Sequence, residues 1–351
     1  VAVQEEEKAY DGPLSWPQPP DQPRYAYETV LHSAANIADL SDEDILKADL
    51  TNTEAVSDAP VMGKPAAVAA RNGRIYVTDT KRNNIIVFDI PRRRIFFMGM
   101  RKPGDLITPA GITLDVDMNV YVADSKKRKI FVYDSLGYIN RTIGSPESLE
   151  RPTGVAVSPD VQRIYVADRS FNESDNHRVV VFDWWGQVIR VIGSRGSEDG
   201  EFNIPTQVAV APDGTLYVLD SGNFRVQVFD KDGVFLRKFG KLGKGFGSFS
   251  RPRGLAVDDN GLVYVTDSNF NNIQIFNPEG QLLLAIGEGA LASNPGQYGM
   301  LNGISVDETG RIYVADQFFN KVEVIRSLSD SEGKKMLEEA EASKESPTIA
   351  Q

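Results

Sequence analysis

Short apolar runs separated by small polar turns fill residues 214–240, GTLYVLDSGNFRVQVFDKDGVFLRKFG. The runs are Leu216 to Leu219, Val226 to Phe229 and Val234 to Phe239. Each has the length and the β-branched or aromatic composition of a strand. The turns between them, DSGNF and DKDG, are rich in residues that reverse the backbone. A fourth run, Val208 to Ala211, precedes them and ends in PDG, so the pattern predicts a four-stranded antiparallel unit.

This unit recurs with a period of about 40 to 50 residues, which is the spacing of propeller blades. The second strand ends six times in Tyr-Val-x-Asp, starting at Tyr76, Tyr121, Tyr165, Tyr217, Tyr264 and Tyr313. The first strand is entered six times by a similar run, starting at Pro65, Pro109, Pro152, Pro205, Pro252 and Leu301. Five copies continue into a fourth strand that ends near Gly, and the sixth does not. The pattern predicts an all-β, six-bladed β-propeller of four-stranded antiparallel blades.

The repeated motif, as in GEFNIPTQVAVAPDGTLYVLDSGNFRVQVFD, resembles that of the NHL-repeat β-propellers. The resemblance extends over residues 65–326 and implies a six-bladed ring. The Pro-rich stretch before the first copy is similar to the leader of bacterial exported members of this family. The second copy departs from the motif with SKKRK, and the third with the longer RSFNESDNHR, both at the turn between the second and third strands.

The sixth copy lacks a fourth strand, and the alternating stretch RYAYETVL at residues 24–31 is its expected donor. An unpaired sheet edge invites aggregation, whereas a closed ring has no such edge. We therefore predict that residues 24–31 close blade six as its outermost strand. The other predicted segments are a Pro-rich extended leader at 1–23, a connection with a short helix near Ser41 at 32–64, six NHL-type blades at 65–326, and a polar tail, helical or disordered, at 327–351.

The amino-acid composition excludes several kinds of site. The 351 residues include no cysteine, which excludes disulfides and thiolate metal sites within this chain. No apolar stretch approaches the roughly 18 residues of a membrane span. The family resemblance leads us to expect an extracytoplasmic location, in the periplasm, on the outer surface or outside the cell. A lipid anchor ahead of the chain is compatible with the sequence.

The net charge of −11 is unevenly distributed. Residues 65–144 contain 14 Lys and Arg against 7 Asp and Glu, whereas residues 1–64 contain 4 against 13. The first two blades thus form a basic sector, which is either an ordinary solvated surface or a docking site for an acidic protein. A multiheme c-type cytochrome, with its heme propionates, is one candidate partner. The candidate partner-binding residues of this basic sector are Lys81, Arg82, Lys126, Lys127, Arg128 and Lys129.

The lengthened turn of the third copy adds His177 as a further candidate partner-binding residue. The alternative is a surface insertion without function, which loops tolerate well. Nucleic acid is not an expected partner, because the overall negative charge repels phosphates. The aromatic residues that could stack on bases also lie in blades four to six, away from the basic sector.

Signs of catalysis are few. The chain has two histidines, His32 and His177, too few for the zinc site of the amidating lyase among the related propellers. Carboxylates, which the calcium site of the related lactonases would require, are absent from the positions expected around the central mouth: Ala66, Ala110, Thr153, Thr206, Arg253 and Asn302. The Asp that ends each Tyr-Val-x-Asp is interpreted as a turn cap. We therefore expect no metal, no cofactor and no enzymatic activity.

The function expected from the sequence is protein recognition by a rigid, non-catalytic scaffold of the cell envelope or extracellular space. Two alternatives remain open. One is a metal-dependent hydrolase or lyase that acts on a small molecule at the central mouth. The other is a ligand sensor or carbohydrate-binding propeller, which clustered exposed aromatic residues on one face would indicate.

Overall fold

The computed structural model describes residues 12–38, 50–51, 56–160, 162–171 and 174–345. Six antiparallel sheets form a closed ring of blades. The first strands of neighbouring blades contact each other at every step around the ring. The predicted six-bladed propeller is therefore confirmed, whereas the helix predicted near Ser41 lies outside the described residues.

The chain starts with two strands, β1 (Ser15–Trp16) and β2 (Tyr25–Leu31). Blade 1 contains β3 (Pro65–Arg71), β4 (Arg74–Asp79), β5 (Asn84–Asp89) and β6 (Arg94–Met98). Blade 2 contains β7 (Pro109–Leu114), β8 (Val120–Asp124), β9 (Lys129–Tyr133) and β10 (Ile139–Ile143). Blade 3 contains β11 (Pro152–Val157), β12 (Arg163–Asp168), β13 (Arg178–Asp183) and β14 (Val188–Ile192).

Blade 4 contains β15 (Pro205–Val210), β16 (Leu216–Asp220), β17 (Arg225–Phe229) and β18 (Phe235–Phe239). Blade 5 contains β19 (Pro252–Val257), β20 (Val263–Asp267), β21 (Asn272–Phe276) and β22 (Leu282–Ile286). The connection to blade 6 carries β23 (Glu288–Gly289) and β24 (Gln297–Tyr298). Blade 6 contains β25 (Leu301–Val306), β26 (Ile312–Asp316) and β27 (Lys321–Ser327). Helix α1 (Asp330–Glu345) follows, and two short 3-10 turns occupy Ile90–Arg92 and Ser221–Asn223.

The N-terminal strand β2 closes the ring, as predicted. It pairs antiparallel with β27, from Tyr25 opposite Ser327 to Leu31 opposite Val322. Its two ends contact different neighbours: Leu31 packs into the core shared with blade 1, and the Tyr25 hydroxyl lies 3.2 Å from that of Tyr264 in blade 5. Strand β2 therefore ties blade 6 to both adjacent blades.

The hydrophobic core consists of layers between neighbouring blades. The tyrosine of each Tyr-Val-x-Asp motif is buried, namely Tyr76, Tyr121, Tyr165, Tyr217, Tyr264 and Tyr313. Side chains of successive strand residues point to opposite faces of a sheet, so each middle strand contributes to the layers on both of its sides. The repeated apolar pattern thus produces six similar layers around the ring.

The two faces of the disc differ in the turns that they carry. We call upper the face with the turns between second and third strands and the connections between blades, and lower the opposite face. Near the upper face the first strands approach one another closely: a Cβ added at Gly254 would lie 2.4 Å from the Asn302 carbonyl oxygen, and one at Gly303 would lie 2.5 Å from the Ala67 Cα. Only glycine fits such close backbone contacts, so the central channel is narrow at this level.

The C-terminal helix α1 is fastened to the N-terminal leader. Ser329 and Glu332 form a reciprocal capping box at its start, an arrangement that satisfies free backbone donors. Asp330 pairs with Arg24 at 2.5 Å, and Met336 and Ala340 are buried. None of the helices in the described parts of the chain is long and apolar enough to cross a membrane.

Blade 6 differs from blades 4 and 5 at one buried polar position. Gln227 and Gln274 each accept from a backbone N–H and donate to a backbone carbonyl. Glu323 occupies the corresponding place, accepts from Gly296 N at 2.6 Å, and lies 3.4 Å from the Lys321 ammonium. Burial raises the pKa of the Glu323 carboxyl, against the attraction of Lys321.

Replacing Glu323 with Gln is expected to stabilise the protein at neutral pH by about 1 kcal/mol, because burial disfavours the ionised carboxyl more than Lys321 favours it. Lys321 keeps its hydrogen bonds to the Asn294 and Gln297 carbonyls in the variant. A pKa raised on folding means that the native state holds its proton more tightly, so the ionised wild type loses stability as the pH rises through that pKa. The gain should therefore vanish below the ordinary pKa of glutamate. Urea unfolding at several pH values measures it, and a loss of stability in the variant at pH 7 would contradict this view.

Candidate functional site at the upper mouth

The repeated aspartates form a ring of turn caps beneath the upper face. Asp79 accepts from the backbone N–H groups of Lys81 and Arg82 in its own turn, and from those of Gly63 and Lys64 in the preceding connection. Similar bonds to backbone N–H groups are made by Asp124, Asp168, Asp220, Asp267 and Asp316. Their oxygens are thus occupied, as the interpretation as turn caps requires. No cluster of three or more His, Asp or Glu suited to a metal ion occurs among the described residues.

The candidate residues of the basic sector lie on the upper face of blades 1 and 2. Contacts within the chain engage some of them. Lys81 and Lys126 are exposed. Arg82 donates to the Pro60 carbonyl at 3.1 Å, and Lys127 pairs with Asp105 at 3.0 Å. Arg128 donates to the carbonyls of Leu149 and Pro146 at 2.8 and 2.7 Å, and Lys129 starts β9, half-buried. Their role in partner binding remains a prediction.

His177 lies inside the third-blade loop and is 1% exposed. Its Nδ1 accepts a hydrogen bond from the Ile204 backbone N–H at 2.9 Å. Burial lowers the pKa of its imidazole, and the charge of Arg195 lowers it further. The ring is thus a neutral acceptor that joins the loop to blade 4, and it is not available at the surface.

The upper mouth of the central channel is formed by two positions of each blade. The residue after the first-strand entry contributes Ala66, Ala110, Thr153, Thr206, Arg253 and Asn302. The residue after the Asp of Tyr-Val-x-Asp contributes Thr80, Ser125, Arg169, Ser221, Ser268 and Gln317. At this second position Ser125, Ser221 and Gln317 donate to the entry carbonyl of the next blade. The mouth is therefore a polar ring without carboxylates.

Two arginines interrupt this ring of small and neutral side chains. Arg169 of blade 3 and Arg253 of blade 5 are half-buried. Neither guanidinium makes a hydrogen bond or an ion pair with any residue in the part of the chain that the structure describes. Exposed arginines without partners are ordinary, but burial of an unpaired charge is costly. Because both side chains are only half-buried, their guanidinium donors are open to water or to a bound ligand at the upper mouth.

The two guanidiniums share one electrostatic environment although blade 4 separates their blades. Burial lowers the pKa of Arg253, and Arg251 and Arg169 lower it further against the opposite effect of Asp267. Burial likewise lowers the pKa of Arg169, followed by the charge of Arg151. The two residues occupy mouth positions of blades 3 and 5, and the charge of Arg169 acts on Arg253 across the opening.

Hydroxyl groups of blade 4 lie between the two arginines. Thr206 Oγ1 and Ser221 Oγ are 2.5 Å apart, and Ser221 also donates to the Pro252 carbonyl at 3.1 Å. On the blade 3 side, the Thr153 hydroxyl lies 3.4 Å from the Pro205 carbonyl oxygen. These hydroxyl protons are engaged within the ring, so the guanidinium groups are the donors that remain for carboxylate or phosphate oxygens. The upper mouth thus has the chemistry of an anion site.

A cavity of about 310 Å³ occupies the lower part of the channel. Its walls are the six first strands and the turns that follow them. Three of its carboxylates cap those turns and accept from buried tyrosine hydroxyls: Asp115 from Tyr121, Asp258 from Tyr264 and Asp307 from Tyr313. These three carboxylates are therefore occupied by contacts within the fold.

Sequence reasoning placed Arg253 at the mouth but did not identify Arg169. The signal was present in the alignment of the six copies: the residue after Tyr-Val-x-Asp is Thr, Ser, Ser, Ser and Gln in five blades and Arg in the third. That the two residues, in non-adjacent blades, act on the same opening follows only from the closed ring.

The architecture and the repeats define the class of the protein, a six-bladed β-propeller. The family profile of the NHL repeat matches residues 149–182, 202–229 and 249–276, which lie in and beside blades 3, 4 and 5. With six blades built on the same plan, the chain is a six-bladed propeller that carries NHL repeats.

Solved structures with a similar fold include a gluconolactonase from Xanthomonas campestris, at 16% sequence identity and a TM-score of 0.58 over 76% of this chain and 87% of that one. A virginiamycin B lyase from Staphylococcus aureus is similar at 14% identity and a TM-score of 0.55, over 86% and 99%. A hydrazine synthase from Kuenenia stuttgartiensis is similar at 18% identity and a TM-score of 0.54, over 75% and 83%. At these identities the similarity is one of fold.

The prediction from sequence that the chain is not an enzyme is wrong. A gluconolactonase and a virginiamycin B lyase share this fold. The prediction relied on the small number of histidines and on the lack of carboxylates at the mouth. Those counts test two metal-dependent chemistries only, and they leave chemistry that uses arginine and hydroxyl groups unexamined.

Proposed function

We propose that this propeller binds a small anionic molecule at its upper mouth, between Arg169 and Arg253. The observation that carries the proposal is the pair of half-buried guanidiniums that have no partner among the described residues. An anion between them would relieve both the cost of burial and their mutual repulsion. A rigid ring presents the two groups in advance, so binding requires little ordering of the protein.

Arginine suits this role better than lysine, because its planar guanidinium forms paired hydrogen bonds with carboxylate and phosphate groups. Donors fixed in a water-poor site also stabilise negative charge that develops on a bound molecule during a reaction. The site therefore supports substrate binding by a hydrolase or lyase, as well as ligand binding by a sensor. In this proposal the arginines supply the charge stabilisation.

Replacing both Arg169 and Arg253 with alanine is expected to weaken binding of a small dianion such as malonate or inorganic phosphate at least 100-fold, as measured by isothermal titration calorimetry at constant ionic strength. The matched control is Arg190→Ala, which removes an exposed arginine from the outer strand β14. Equal affinities of the double variant and the wild type would refute the proposal.

The same double variant should retain or raise the melting temperature without ligand. The two side chains repel each other and make no hydrogen bonds or ion pairs with the described residues, so their removal sacrifices no favourable polar contact. Residues kept for binding often lower stability in this way. A melting temperature several degrees lower than that of the wild type would indicate that the arginines have a structural role instead.

A second candidate function is docking of an acidic protein on the basic sector, for which a multiheme c-type cytochrome is one candidate and an extracytoplasmic location is required. It is favoured by the exposure of Lys81 and Lys126 on one face, without an ion pair to any described residue. Lys81→Glu with Lys126→Glu should abolish salt-dependent binding of a purified acidic cytochrome in surface plasmon resonance. Unchanged binding, or none by the wild type, would remove this candidate.

A further inference from the structure

The proposed anion site has a second pair of arginines beside the first. Arg151 precedes the entry proline of blade 3, and Arg251 precedes that of blade 5, in the matching stretches RPTG and RPRG. The backbone of Arg169 donates to the Arg151 carbonyl at 3.2 Å, which fixes the two residues side by side. Blades 3 and 5 each therefore present two arginines, one at the mouth and one immediately outside it.

The outer arginines also lack partners within the described chain. The backbone N–H of Arg151 donates to Asp168, and that of Arg251 to Asp267, but neither guanidinium forms a hydrogen bond or ion pair there. The charges of these arginines act on the inner pair: Arg151 on Arg169 and Arg251 on Arg253. The four positive charges thus form one electrostatic unit.

The carboxylates nearest to this unit have other partners. Asp267 accepts from four backbone N–H groups. Asp168 accepts from two backbone N–H groups and pairs with Arg178 at 3.3 Å. Glu150 accepts from Ser170 and Asn176. These carboxylates reduce the positive potential around the four arginines, but they accept no hydrogen bond from the four guanidinium groups.

From this arrangement we infer that the ligand carries at least two separate anionic groups, one for the inner arginines and one for the outer. The inference rests on the proposed anion site and adds to it the number of anionic groups on the ligand. A single carboxylate or phosphate between Arg169 and Arg253 leaves the outer pair unneutralised. A molecule with neighbouring oxyanions, such as a di- or tricarboxylate or a compound with linked phosphates, supplies one anionic group for each pair.

The test is a titration series at constant ionic strength. Acetate, malonate and citrate form the carboxylate arm, and inorganic phosphate, pyrophosphate and triphosphate form the phosphate arm. Affinity should rise at least tenfold with the second anionic group in one arm or both, and the arm that binds more tightly identifies the chemical class. Arg151→Ala with Arg251→Ala should abolish that gain while leaving the affinity for the single-group anion within threefold.

The controls separate the inference from the proposal on which it depends. If the inner double variant loses binding but the wild type binds one-group and two-group anions equally, the anion site stands and the inference fails. If the inner double variant binds as the wild type does, both fail. Lys81→Ala with Lys126→Ala, on the same face, should bind polyanions normally; a loss there would place polyanion binding on the basic sector and overturn the inference.

Discussion

Asp316→Ala is expected to lower the free energy of unfolding by about 4 kcal/mol or more, since each buried donor left unsatisfied costs about 1 to 3 kcal/mol. The carboxylate accepts from the backbone N–H groups of Gly299, Met300, Phe318 and Phe319. It joins the turn of its own blade to the connection that leads into that blade. Its removal therefore loosens two segments at once, and chemical denaturation monitored by tryptophan fluorescence measures the loss.

The matched control is Asp213→Ala. Asp213 lies on the lower face and accepts one backbone hydrogen bond, from Thr215, so its replacement should cost about 1 kcal/mol or less. Equal losses for the two variants would contradict the view that the aspartate ring is a structural ring of caps.

The double variant Tyr25→Ala with Leu31→Ala is expected to lower the free energy of unfolding by about 5 kcal/mol, because large-to-small changes in a core cost about 2 to 5 kcal/mol each. Tyr25 belongs to the layer shared by blades 5 and 6, and Leu31 to the layer shared by blades 6 and 1. Both changes weaken closure, so the variant should also aggregate on heating as the edge of β27 becomes exposed.

The control for closure is Thr29→Ala, at a half-buried position of the same strand. This change is expected to lower the free energy of unfolding by about 0.5 kcal/mol. Urea melts and light scattering during heating report the two effects. If the double variant melted like the control and stayed monomeric when heated, β2 would be dispensable and closure would have another cause.

The fold could be predicted from the sequence because the same local pattern is repeated. Each copy of Tyr-Val-x-Asp places a tyrosine in a core layer and an aspartate under the turn that follows, so six weak signals reinforce one another. The closing strand could also be predicted. The sixth copy of the repeat lacks a fourth strand, and residues 24–31 show the alternation of apolar and polar side chains that a strand requires.

The candidate site was only half predictable. Lysine and arginine that are adjacent in sequence form an obvious basic sector, yet the structure occupies Lys127 and Arg128 with contacts inside the chain. His177 was selected as a rare residue in an inserted loop, and the structure buries it as an acceptor for Ile204. Composition identifies charged residues, but whether a charge is paired depends on contacts between blades.

Arg169 and Arg253 also show that the sequence does not reveal whether a charged side chain is paired. Arg169 and Arg253 are separated by a whole blade, and each has a neutral or small residue at the equivalent position of most other blades. Only ring closure directs them to one opening. The mistaken prediction that the chain is not an enzyme relied on carboxylates and histidines alone, and enzymes that share this fold overturn it.

A crystal structure of the protein with selenate would locate the proposed anion site, since selenate is a tetrahedral dianion whose position is visible by anomalous scattering. We expect an anomalous peak at the upper mouth within hydrogen-bonding distance of both the Arg169 and the Arg253 guanidiniums, and no such peak in the variant that lacks them. Selenate bound only elsewhere, with the two arginines turned away from the mouth, would refute anion binding at the upper mouth.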